Sequence, residues 1–137
     1  AGGSIVSVGY PPFVFALKQG ATKPEMPSKE IMATLGIDAD FLYRGFFYYD
    51  AYISYPTEAG KELGMPEWWC SGYGVDPKKV TTVLGVDEHG RATAWIKSYG
   101  GPEGTGLIRL WGNDQLPQDM GFIKKIAERA GSTPRPR

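Results

Sequence analysis

Val80-Thr81-Thr82-Val83-Leu84-Gly85-Val86-Asp87-Glu88-His89-Gly90-Arg91-Ala92-Thr93-Ala94-Trp95-Ile96-Lys97 is the stretch whose reading decides the fold. Val80, Thr82, Leu84 and Val86 alternate with Thr81, Val83 and Gly85, and Ala92, Ala94 and Ile96 alternate with Thr93, Trp95 and Lys97. Successive side chains of a strand point to opposite faces, so a period of two predicts two strands, and Asp87-Glu88-His89-Gly90 supplies the turn between them. A glycine-rich connection from Gly100 to Gly106 leads into Leu107-Ile108-Arg109-Leu110-Trp111, a third strand. The expectation is a three-stranded antiparallel meander over residues 79–111.

Downstream, Phe122, Ile123, Ile126, Ala127 and Ala130 form one apolar stripe at helical spacing, predicting a helix from Gln118 to Ala130 that closes at Gly131. Upstream, residues 28–76 read as short helices. Ser28 is a good N-cap for a helix carrying Ile31, Met32 and Leu35, and Gly36 ends it. A second helix starts from Asp38 or Asp40 and carries Phe41, Leu42, Phe46 and Phe47, weakened by about 1 kcal/mol at Gly45. A third is capped by Thr57, runs Glu58 to Leu63 and stops at Gly64, with Pro66 behind it.

The first 27 residues read as an extended apolar arm, because Tyr10-Pro11-Pro12-Phe13 forces extended backbone beside aromatic rings. Those rings need a surface, either the domain's own core or a partner. The last seven residues, Gly131 to Arg137, bury almost nothing by composition and are expected to find their order on a neighbour. The chain opens at Ala1 without methionine, and Ala1-Gly2-Gly3-Ser4 reads as the small-residue junction left by a removed leader or by trimming. The expected organisation is therefore an arm at 1–27, one α+β domain at 28–130 with its meander packed by short helices, and a basic Pro/Arg tail at 131–137.

The formal charge is zero, which removes the whole-domain attraction that nucleic-acid and anionic-membrane binders rely on. One cysteine excludes an internal disulfide and any multi-cysteine metal site. The apolar stretch from Ile5 to Leu17 is interrupted by Gly9, Pro11 and Pro12 and is too short to cross a bilayer.

Candidate chemistry is sparse. Cys70, beside Ser71 and Gly72, invites a nucleophile reading, but the sole histidine, His89, lies at the hairpin tip, far along the chain. The glycines from 100 to 106 resemble a phosphate cradle only superficially. A strand rather than a helix follows them, and no Lys-Ser or Lys-Thr pair is present. Asp38 and Asp40 have the first spacing of a calcium loop without the glycine at its sixth position or the glutamate at its twelfth. Helix capping accounts for them. No catalytic residue, metal site or cofactor is assigned.

What stands out is aromatic: Phe41, Tyr43, Phe46, Phe47, Tyr48, Tyr49, Tyr52 and Tyr55, then Trp68 and Trp69. Four consecutive rings from Phe46 to Tyr49 surround the backbone, so some must point away from the core, where protein interfaces favour them. The bland alternative fills the core of a glycine-rich fold with large rings. The functional expectation is a non-catalytic accessory or structural subunit of a larger assembly. It would dock other protein subunits, with a membrane-peripheral position open to it, through Tyr10, Phe13, Phe15, Tyr48, Tyr49, Tyr52, Trp68, Trp69, Arg135 and Arg137.

The alternative expectation is nucleic-acid binding. Residues 28–44 space two short helices about Gly36 and loosely resemble winged DNA-binding domains over less than a fifth of the chain. Lys124, Lys125, Arg129, Arg135 and Arg137 would add a basic C-terminus. Two departures oppose it: Gly45 replaces an apolar residue of the second helix, and Asp38 and Asp40 place negative charge where phosphates would approach.

Overall fold

A computed structural model of the chain describes residues 4–8, 17, 19–23, 33–36, 52–71, 74–101, 106–110 and 121–131. Among the described residues, six strands form one sheet: β1 Ser4–Ser7, β2 Tyr52–Pro56, β3 Trp69–Ser71, β4 Thr82–Asp87, β5 Ala92–Lys97 and β6 Gly106–Arg109. Their order is β1-β6-β5-β4-β2-β3. The pairing is antiparallel except for β1, which runs parallel to β6 with Ile5 beside Leu107. Among the described residues, the helices α1 Glu58–Glu62 and α2 Gly121–Gly131 and a 3-10 turn at Pro77–Lys79 accompany the sheet.

This corrects the expected three-stranded meander packed with helices. Strands at 82–87, 92–97 and 106–109 are the inner part of a six-stranded mixed half-barrel that carries only two short helices among the described residues. The reason lies in long-range pairing. Ser4–Ser7 completes one edge against a strand about a hundred residues away, and Tyr52–Pro56 with Trp69–Ser71 extends the other. The expected helix at 38–47 lies outside the described residues. Of the first expected helix, Ala33 and Thr34 are helical, and Gly36, at φ 65°, donates its N–H to Ala33 O.

The curl has a local cause. Along the β4–β5 ladder Val83 faces Trp95, Gly85 faces Ala94 and Val86 faces Ala92, which leaves Leu84 on one strand and Thr93 on the other as extra residues. Two such bulges steepen the twist and bend the sheet. One step beyond Pro56 opposite Gly85, the N–H of Thr57 donates to Leu84 O, and the Thr57 hydroxyl donates to Val83 O. Thr57 is also the N-cap of α1, accepting from Gly60 N, so the bulge and the helix start hold each other.

The sheet has two unlike faces. The inner face buries Trp69, Leu84, Ala94, Ile96, Ile108 and Leu110 against Leu63 and Met65, which follow α1, and against Phe122 and Ile126 of α2. On the outer face Trp95, Ala92 and Leu107 cluster with Val75, which is bridged to Ala92 beside β5, and Val80, Val83 and Leu35 pack against them. The turn bearing Leu35 is tied down by Tyr99, whose hydroxyl donates to Leu35 O at 3.0 Å. Partial burial disfavours the phenolate and raises the Tyr99 pKa, so this tie contributes fully at neutral pH and is lost as pH rises through the ordinary tyrosine range and beyond.

Candidate functional site: the outer face of strands β2 and β3

Among the described residues, the outer-face cluster stops short of β2 and β3. Side chains along β2 alternate, with Ser54 buried among the inner residues and Ile53 and Tyr55 turned outward. Ile53 is 41 % exposed, Tyr55 52 % and Trp68 57 %. The register places them together. Ile53 faces Cys70 and Ser54 faces Trp69, so one further step sets Trp68 alongside Tyr55. On the β4 side Tyr55 faces Val86, and Glu88 donates its N–H to Ile53 O at 3.2 Å, extending the row to an exposed carboxylate.

The neighbouring tryptophans divide. Trp69 is 4 % exposed and lies over Gly85, where a Cβ would fall 2.2 Å from its ring, whereas Trp68 is largely in solvent. Tyr52, on the inner side of β2, is half-buried and meets the His89 ring edge-on at 4.3 Å between centroids. Tyr10, Phe13, Phe15, Tyr48, Tyr49, Arg135 and Arg137 lie outside the described residues. Sequence reasoning therefore singled out Trp68 but passed over Ile53 and did not select Tyr55. Their signal was the alternation Tyr52-Ile53-Ser54-Tyr55, with an apolar residue on both phases of a short strand.

Several polar groups inside the sheet are hydrogen-bonded within the fold. The Thr93 hydroxyl donates to Ser54 Oγ at 3.0 Å, joining the bulge of β5 to β2. Asp87 Oδ1 accepts from the N–H groups of His89 and Arg91, fixing the hairpin turn in which Gly90 has φ 75°. Arg109 is only 1 % exposed and its Nη1 donates to Thr93 O. Cys70 is half-exposed on the outer face beside Ile53, and the His89 ring is engaged by Tyr52. The described residues contain no group of three metal-ligating side chains and no helix long and apolar enough to cross a membrane. No protein-family model, curated protein or solved structure matches this chain.

Proposed function

We propose that the protein is a non-catalytic subunit that docks another protein on the outer face of β2 and β3. The observation that carries this reading is the adjacency of Ile53, Tyr55 and Trp68, three large apolar side chains exposed in one strip. A single exposed apolar residue needs no explanation, but a contiguous strip on a rigid sheet marks an interaction surface. Tyrosine and tryptophan are also the residues that carry most energy at protein interfaces, since each brings large area and few rotatable bonds.

Size fractionation of a native extract tests the proposal. The wild-type chain should elute in a species larger than its own 15.0 kDa, and a Tyr55→Ala/Trp68→Ala variant should leave that species with its thermal midpoint nearly unchanged. Elution of both proteins at the monomer position, or of both in the same larger species, would overturn it.

A further inference from the structure

We draw no further inference here: the strongest candidate, the exposed patch on the outer face of β2 and β3 where Cys70 lies beside Ile53, belongs to the site already described, and nothing in the structure shows what covers it.

Discussion

Trp69→Ala should lower stability by about 3–5 kcal/mol, whereas Trp68→Ala, one residue earlier, should change it by no more than about 0.5 kcal/mol. The two residues have the same side chain and almost the same place in the chain, so composition cannot separate them. What separates them is the strand alternation of β3. Trp69 faces Ser54, joins Leu63, Met65 and Leu84 in the inner core, and lies over Gly85, which has no side chain to displace it. Deleting its ring opens a cavity under α1 that the glycine cannot fill. Trp68 projects from the other face and leaves nothing behind when it is removed. Urea unfolding of the two variants measures the contrast, and equal losses would contradict the assignment of the two faces.

The second large effect is expected at Gly60, in the middle of α1. Alanine in a helix interior is ordinarily about 1 kcal/mol better than glycine, so a propensity argument predicts that Gly60→Ala stabilises the protein. Packing predicts the reverse. A Cβ at this position would fall 2.1 Å from Leu84 O and 3.1 Å from the Met65 sulfur. The sulfur belongs to a flexible side chain and can move. The Leu84 carbonyl belongs to the bulge and already accepts from Thr57 N, so relieving the clash means lifting α1 off β4. The net result should be a loss of about 1–3 kcal/mol, typical of overpacking a filled site. Thermal unfolding decides the sign, and a more stable Gly60→Ala protein would show that α1 does not sit on β4 in this way.

How far the sequence reveals this structure depends on how local each determinant is. The hairpin at 82–97 follows from alternation and from Asp87 and Gly90 in its turn, all within a few residues of one another. The same holds for α1, since Thr57 and Gly64 bracket it, and for α2, whose Phe122 and Ile126 are one helical turn apart and both buried. The sheet's true width is not local. Ser4-Ile5-Val6-Ser7 becomes a strand through β6, and its four residues carry no signal that names a partner so distant in sequence. β3 is only three residues long, and its Trp-Cys-Ser sequence reads as readily as loop. With both edges missing, the inner strands looked like a complete meander.

The exposed strip was half legible for a related reason. Counting rings showed that some aromatics had to be exposed, but choosing them requires the phase of β2 and β3. That phase is set by pairing with β4: once Ser54 is buried opposite Asp87 and Trp69, Ile53, Tyr55 and Trp68 have only the outer face left. Burial of Trp69 and exposure of Trp68 are two results of one register.

Hydroxyl-radical footprinting, read residue by residue by mass spectrometry, tests the docking surface most directly when the purified chain is compared with the same chain in its native extract. Tyr55 and Trp68 should be oxidised readily in the purified protein and protected in the extract, while Trp69 stays protected in both. Equal oxidation of Tyr55 and Trp68 in the two samples would mean that nothing covers the strip, and the account of this protein as a docking subunit would be contradicted.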